Sequence, residues 1–370
     1  MGPMPTAAAP ASLDLTQPPV DLTEAVCNVA SVSGDEQALA DLVETALRTL
    51  AHLQVSRDGN TVIARTELGR PERVVIAGHL DTVPFAAQGP AASLPIERTA
   101  ERLVGRGTTD MKGGIGVMLA LAAALPEPNR DVTFVFYDCE EVDAARNGLG
   151  RVATNDPQLL EADFAVLMEP TDGTVEGGCK GTIRFEVEAK GVAAHSGRPW
   201  LGHNAIHEAG GIIDRLREFT AETVEVDGLT FHEGLSAVGI TGGRATNVVP
   251  DECVVTINYR FAPHRSAAEA EDLMRALFAG YELEMTDASD GARPGLDRPA
   301  AQAFVEALGL PVQAKEGWTD VARFSAVGVP AVNFGPGNPL VAHQDEEYCD
   351  IAQIDQAFDA MHRWLGGPVA

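Results

Sequence analysis

The sequence predicts an α/β fold, with a mostly parallel sheet in a larger domain and a smaller α+β domain inserted into it. The first observation is a set of short, continuously apolar runs separated by helix-like stretches, which is typical of parallel strands buried on both faces. The second is a change in the middle of the chain to strands that alternate apolar and polar residues. The third is the length of 370 residues with 45% hydrophobic side chains, which is sufficient for two domains.

The α/β pattern occupies both ends of the chain. A helix is predicted at 35–52, where apolar positions recur at helical spacing after Gly34. A nearly all-apolar helix is predicted at 113–128, ending at two prolines. The buried strands are predicted at 73–81, 132–141, 164–170 and 330–337.

The middle of the chain predicts a βαββαβ unit, a small antiparallel sheet with two helices. Because the α/β pattern resumes afterwards, this unit is an insertion. The predicted domains are therefore 1–180 plus 293–370, and 181–292. The predicted elements of the insertion are strands at 182–191, 235–241, 252–261 and 281–286, and helices at 204–220 and 266–279.

The composition excludes several classes of protein. Lys+Arg is 27 and Asp+Glu is 54, so the net charge of −27 disfavours nucleic acid and anionic membranes as partners. No run of about 18 apolar residues occurs, and no membrane span is predicted. Five scattered cysteines without a C-x-x-C pair indicate a reducing, cytoplasmic location. Residues 1–19 lack the features of a secretory signal and are predicted to form a frayed tail.

Candidate metal ligands follow each of the four buried strands. Ligands in open α/β sheets bind beyond the carboxyl ends of the strands, so these side chains are expected to converge. A further carboxylate, Asp110, lies in a Gly-rich loop before the apolar helix. The residues at the strand ends are His79 and Asp81, Glu140 and Glu141, Glu169, and His343.

The stretch "DCEEVD" (138–143) places four carboxylates within six residues, and they repel one another unless something compensates. Imidazole and carboxylate ligands without a thiolate fit Zn²⁺ or a similar divalent ion. Five ligands that share one carboxylate would hold two ions about 3.5–4 Å apart. One glutamate at 140–141 would then bind metal, while its neighbour points elsewhere and acts on a water.

Five motifs resemble the signatures of the co-catalytic zinc metallopeptidase family (M20-like) that includes aminoacylase, acetylornithine deacetylase and succinyl-diaminopimelate desuccinylase. The resemblance covers nearly the whole chain, including the insertion. The motifs are "AGHLDTVP", "GRGTTDMKGG", "YDCEEV", "MEPT" and "FGPGNPLVAH".

The resemblance implies a site with two zinc ions per subunit, for which Co²⁺ or Mn²⁺ could substitute. Glu140 would be the general base, and Asp81 would orient His79. The ligands would be His79, Asp110 and Glu169 for one ion, and Asp110, Glu141 and His343 for the other.

Within this family, the chain resembles the actinobacterial type of desuccinylase more than the other members named. The stretches that carry this resemblance include "NGLGR", "RPWLGHNAIH" and "GWTDVARF". This implies that the insertion is a lid and homodimer interface. His195 and Asn247 would approach the partner subunit's site, and Arg260 and Thr319 would hold substrate carboxylates. Better-known members carry an arginine-rich turn where this chain has "GGCKGT", so Lys180 is expected to substitute.

The reaction that the resemblance implies is hydrolysis of N-succinyl-L,L-2,6-diaminopimelate to succinate and L,L-diaminopimelate in lysine and cell-wall precursor synthesis. The alternative is a related deacylase or dipeptidase that acts on another N-acyl amino acid such as N-acetylornithine. A nucleotide-binding enzyme is disfavoured because "GRGTTD" does not complete G-x-G-x-x-G. A non-catalytic binding protein would be expected to lack Glu140 or a ligand, and none is missing.

Overall fold

The computed structural model describes residues 10–367. They form two compact units. The larger unit contains the described residues up to Gly177, Gly295–Gln313 and the described part of Arg323–Ala370. The smaller unit contains Gly178–Pro294 and Ala314–Ala322. The second segment of the smaller unit has no counterpart in the boundaries expected from the sequence.

The helices between residues 10 and 367 are α1 (Pro19–Cys27), α2 (Gln37–Leu47), α3 (Lys112–Ala124), α4 (Gly148–Asn155), α5 (Ala205–Glu218), α6 (Ala267–Leu277), α7 (Pro299–Leu308), α8 (Val321–Ala326) and α9 (Ile351–Gly366). The strands are β1 (Gln54–Asp58), β2 (Thr61–Arg65), β3 (Arg73–His79), β4 (Glu97–Arg98), β5 (Arg102–Val104), β6 (Asp131–Tyr137), β7 (Phe164–Leu167), β8 (Val175–Gly177), β9 (Gly181–Lys190), β10 (Ala194–His195), β11 (Thr223–Val226), β12 (Leu229–His232), β13 (Gly234–Gly242), β14 (Val248–Val249), β15 (Glu252–Phe261), β16 (Glu282–Ser289), β17 (Val312–Ala314), β18 (Ala331–Asn333) and β19 (Tyr348–Asp350).

The central sheet has the strand order β1-β2-β6-β3-β7-β18-β8-β17. The pairs β6–β3, β3–β7 and β7–β18 are parallel, and these four strands are the four apolar runs of the sequence. The predicted mostly parallel α/β fold is therefore confirmed. The sequence did not predict the antiparallel additions, which are the β1–β2 hairpin beside β6 and strand β8 beside β18.

Helix α3 is buried along most of its length, as its apolar sequence predicts. Two glycines allow atoms of neighbouring segments to approach it closely. A Cβ on Gly116 would lie 2.0 Å from the Thr23 hydroxyl of α1, and a Cβ on Gly114 would lie 2.3 Å from the Met168 carbonyl. Since Met168 precedes Glu169, the packing of α3 helps to place this candidate ligand.

The smaller unit contains a four-stranded sheet in the order β13-β15-β9-β16. All of its described pairings are antiparallel, and α5 and α6 supply core residues such as Ile212 and Met274 to one face. The principal elements follow the predicted βαββαβ order. Two short antiparallel two-stranded sheets, β10–β14 and the hairpin β11–β12, have no counterpart in the predicted elements.

The expected frayed tail is wrong for the part that the structure describes. Leu13 is buried in the core of the larger unit, Asp14 bonds to the following turn, and α1 already begins at Pro19. The apolar residues of this stretch are too few to form a periodic pattern that would predict packing against the core. The rest of the expected tail, residues 1–9, lies outside the described residues. Within 10–367, no helix combines the length and apolarity needed to cross a bilayer.

Candidate metal centre and active site

The parallel order of β6, β3, β7 and β18 brings their carboxyl ends to one edge of the sheet. His79 is the last residue of β3, and Glu140 and Glu141 follow β6. Glu169 follows β7, and the chain after β18 leads to His343. The strand ends therefore deliver the ligand types that the sequence placed there.

Asp110 lies between the two histidines. Its Oδ1 is 3.1 Å from Nε2 of His79, and its Oδ2 is 3.3 Å from Nε2 of His343. The same nitrogen of His343 is 2.8 Å from Oε1 of Glu141. One carboxylate thus faces both imidazoles with different oxygens, which is the arrangement expected of a ligand shared between two ions.

The donor atoms fall into groups that fit divalent cations. In each group, one ligand atom per residue lies within 4.8 Å of the others. Nitrogen and oxygen donors without thiolate suit Zn²⁺ and similar ions. The groups are His79, Asp110 and Glu169; Asp110, Glu141 and His343; and His79, Glu140 and Glu141.

The electrostatics of this cluster favour added positive charge. Hydrogen bonds to Asp110 and Glu141 raise the pKa of His343 to about 10. Burial alone would lower the pKa of His79, but its bonds to Asp110 and Asp81 raise it well above its ordinary value. Burial opposes ionisation of Asp110, yet both histidines hold its pKa below the usual range. The imidazoles compensate carboxylates here, and a divalent cation would do so more fully.

Asp81 has a second role that the sequence did not reveal. Its backbone carbonyl lies 3.0 Å from Nδ1 of His79, a contact through which Asp81 can orient the imidazole. Its carboxylate also accepts the backbone N–H groups of Glu140 (3.0 Å) and Glu141 (3.1 Å) and the Ser33 hydroxyl (2.7 Å). Burial opposes ionisation, but His79 and then the bonds from Glu140 and Ser33 lower the pKa of Asp81 to about 2. A buried carboxylate therefore fixes the turn that carries both glutamates.

The four carboxylates of the acidic stretch after β6 lie in different surroundings. Asp138 turns away from the cluster and pairs with Arg151 at 2.7 Å and with the Thr61 hydroxyl at 2.6 Å. Asp143 is exposed to solvent. Only Glu140 and Glu141 of this stretch join the candidate metal groups.

A buried ion pair joins the loop of Asp110 to the segment of His343. Nη1 of Arg106 lies 2.6 Å from Oε2 of Glu347, and both side chains are almost fully buried. Oε1 of Glu347 accepts the backbone N–H groups of Thr109 and Asp110, each at 3.2 Å. Sequence reasoning missed this pair, since a lone glutamate four residues after a histidine carries no motif signal.

The predicted substrate-binding residues all belong to the smaller unit. Strand β10 pairs with β14, so His195 lies opposite Val248 and close to Asn247, whose backbone carbonyl accepts from Ser196. His195 and Asn247 are both exposed. Nδ1 of His195 accepts the N–H of Gly197 at 2.9 Å, which places the proton of the neutral ring on Nε2.

The other three are held differently. Arg260 is partly buried on β15, and its Nε donates to Asn258 at 3.0 Å. Thr319 is buried beside Cys179, whose thiol lies 3.7 Å from its carbonyl oxygen. Lys180 already has partners, because its Nζ donates to the His232 carbonyl at 2.6 Å and lies 2.7 Å from Glu316.

A fourth group of possible ligands in the smaller unit contains Glu222, Glu233 and His264. The guanidinium group of Arg265 lies between the two glutamates: Nη2 is 3.0 Å from Oε2 of Glu222, and Nε is 3.7 Å from Oε1 of Glu233. Since a guanidinium already compensates these carboxylates, this group is a salt-bridge cluster.

The fold and the site define a metal-dependent hydrolase, with histidine and carboxylate ligands at the carboxyl edge of a mostly parallel sheet. The chain belongs to the peptidase family M20/M25/M40, whose model matches residues 75–366. This family contains metal-dependent enzymes, in agreement with the ligand groups.

Two curated relatives and one solved structure extend this comparison. The chain is 51% identical, over 96% of its length and 100% of the relative's, to a Mycobacterium tuberculosis protein provisionally named succinyl-diaminopimelate desuccinylase DapE. It is 42% identical to the succinyl-diaminopimelate desuccinylase of Corynebacterium glutamicum, over 95% and 97% of the two chains. A tripeptidase from Staphylococcus aureus has the same fold, with a TM-score of 0.78 at 20% identity over 96% of this chain and 98% of that one.

The substitution Glu347→Gln should weaken metal binding. A glutamine can present its carbonyl oxygen to the N–H groups of Thr109 and Asp110 or to Arg106, but not to both, so the loop of Asp110 loses a constraint. Changes around the ligands typically cost about 10- to 100-fold in metal affinity. Competition between metal-free protein and a chromogenic zinc chelator measures this affinity. The control is Glu346→Gln, an exposed neighbour; equal affinities of the two variants would contradict the assignment.

Proposed function

We propose that this protein is a di-metal amidohydrolase that cleaves N-succinyl-L,L-2,6-diaminopimelate to succinate and L,L-diaminopimelate. The observation that carries the reaction class is Asp110, which faces both His79 and His343 and is common to two ligand groups. The substrate is supported by the names of the two curated relatives at 51% and 42% identity.

The proposed cofactors are two divalent ions per chain, Zn²⁺ in the first place, with Co²⁺ or Mn²⁺ as substitutes. His79, Asp110 and Glu169 would hold one ion, and Asp110, Glu141 and His343 the other. When bound, such ions lower the pKa of a water so that it is nucleophilic at neutral pH, and they polarise a carbonyl oxygen.

Glu140 is the proposed general base. Its backbone N–H is fixed by Asp81, and its carboxylate lies within 4.8 Å of ligand atoms of His79 and Glu141. It takes a proton from the attacking water and later gives it to the leaving amine nitrogen, so that one carboxylate serves both steps. His195 is the proposed oxyanion donor, because its Nε2 carries the proton that the Gly197 contact leaves there.

Substrate carboxylates would be held in the smaller unit, which we propose acts as a lid. Arg260 is a suitable group because a guanidinium binds a carboxylate through two parallel hydrogen bonds. Thr319 and Asn247 are further candidates for polar contacts. Lys180 is the weakest of the predicted set, since Glu316 already neutralises its ammonium group.

The smaller unit also supports the proposal of a homodimer. Strand β13 lies at the edge of its sheet, and Val238 and Ile240 on this strand are 61% and 58% exposed. An uncovered apolar edge strand is an aggregation hazard unless it is paired or protected. A second copy of the chain is the proposed cover.

We also propose a cytoplasmic location, which fits five buried cysteines that are all free thiols. Recovery of the protein from the periplasmic fraction of cells would refute it.

A substitution on β13 tests the dimer. Ile240→Lys places a charge on the proposed interface and should shift the chain from dimer to monomer in light scattering. Val327→Lys is the control, since Val327 is 63% exposed in the larger unit. A wild-type monomer, or a dimer unaffected by Ile240→Lys, would refute this interface.

A substrate panel tests the function. Zinc-loaded protein should hydrolyse N-succinyl-L,L-diaminopimelate in preference to N-acetylornithine and to dipeptides, because only the first offers a succinyl carboxylate to the cations of the smaller unit. Release of the free amine is the measurement. Preference for N-acetylornithine would indicate a deacylase of another substrate, and cleavage of dipeptides alone would indicate a dipeptidase.

A further inference from the structure

The outer face of the smaller unit's sheet, opposite its core, is divided by charge. Alternate residues of β9 and β15 point to this face. One end is acidic, with Glu186 opposite Glu284 and Glu188 opposite Glu282 across the β9–β16 pair. The other end carries two arginines, Arg184 on β9 and Arg260 on β15.

The two arginines are neighbours in the sheet. Arg184 lies directly opposite Asn258, and Arg260 is two residues further along β15 on the same face. Such diagonal neighbours are within reach of long side chains. Asn258 supports the arrangement, because its Oδ1 accepts from Nε of Arg260 and its Nδ2 donates to the Thr182 hydroxyl at 3.2 Å.

The positive charge of this pair is not neutralised locally. Within residues 10–367, neither Arg184 nor Arg260 forms an ion pair, whereas most arginines of this acidic chain do. Burial lowers the pKa of Arg260, and the charge of Arg184 lowers it further, as expected for two neighbouring guanidinium groups. Asp287 faces Arg184 across the β9–β16 pair. Glu186 also lies two residues along the same face of β9, yet neither guanidinium is held in an ion pair among the described residues, so both remain available to an added carboxylate.

We propose that Arg184 and Arg260 together form a carboxylate-binding site, and that Arg184 determines specificity for acyl groups that end in a second carboxylate. Lys180, the cation expected from the sequence, is occupied by Glu316 and the His232 carbonyl. Arg184 takes its place as the second cation. The inference rests on the proposed function only for the identity of the substrate.

Steady-state kinetics of the zinc-loaded full chain tests this role. Arg184→Ala should raise KM for N-succinyl-L,L-diaminopimelate by about 10- to 100-fold with little change in kcat, the effect of losing a charged hydrogen bond used equally in ground and transition states. Arg184→Lys keeps the charge but loses the planar fork, so it should restore only part of the affinity. Arg217→Ala is the control, an exposed arginine on α5 that should leave KM unchanged.

A direct titration separates this inference from the proposed function. Succinate should bind the zinc-loaded wild type in calorimetry and bind Arg184→Ala about tenfold or more weakly, while acetate should not distinguish the two proteins. If the wild type ignores the succinylated substrate but succinate binding depends on Arg184, the proposed function fails and this site stands. If the substrate is hydrolysed and Arg184→Ala matches Arg217→Ala in KM and succinate binding, this site is refuted and the function stands.

Discussion

The crowding of carboxylates at one edge of the parallel sheet is the constraint on which the rest of the site depends. Asp81, Asp110, Glu140, Glu141 and Glu169 all come from strand ends or adjacent loops of the larger unit, and their mutual repulsion must be compensated. In the protein alone, two imidazoles supply that compensation and their pKa values rise accordingly. Divalent cations would supply more positive charge at the same positions, and the carboxylates that repel one another would then serve as metal ligands.

Much of this could be predicted from the sequence because it depends on local pattern. A continuously apolar run predicts a buried parallel strand, and the polar residue that follows it predicts which side chain reaches the carboxyl edge. This rule places His79, the pair Glu140 and Glu141, and Glu169 at one edge, since β6, β3 and β7 are adjacent in the sheet. It does not decide which of the two glutamates is a ligand or which ion Asp110 and His343 would hold, because those assignments come from the family motifs.

The parts that escaped prediction are contacts between residues distant in the chain. The pair of Arg106 and Glu347 joins two loops that are far apart in sequence, and the carboxylate of Asp81 holds a turn that lies after another strand. The occupancy of Lys180 by Glu316 depends on the return of 314–322 to the smaller unit, which composition does not indicate. Each of these contacts depends on the tertiary structure. An isolated residue of these types forms no sequence pattern that would indicate its partner.

The central claim is that Glu141 binds metal while Glu140 transfers protons, and metal analysis of two variants tests it most directly. Glu140→Gln should keep the wild-type metal content after dialysis and lose at least about 10²-fold in kcat, the usual contribution of a general base. Glu141→Gln should lose bound metal, because an amide is a poorer ligand than a carboxylate beside His343. Equal metal content in the two variants, or normal turnover by Glu140→Gln, would contradict the account.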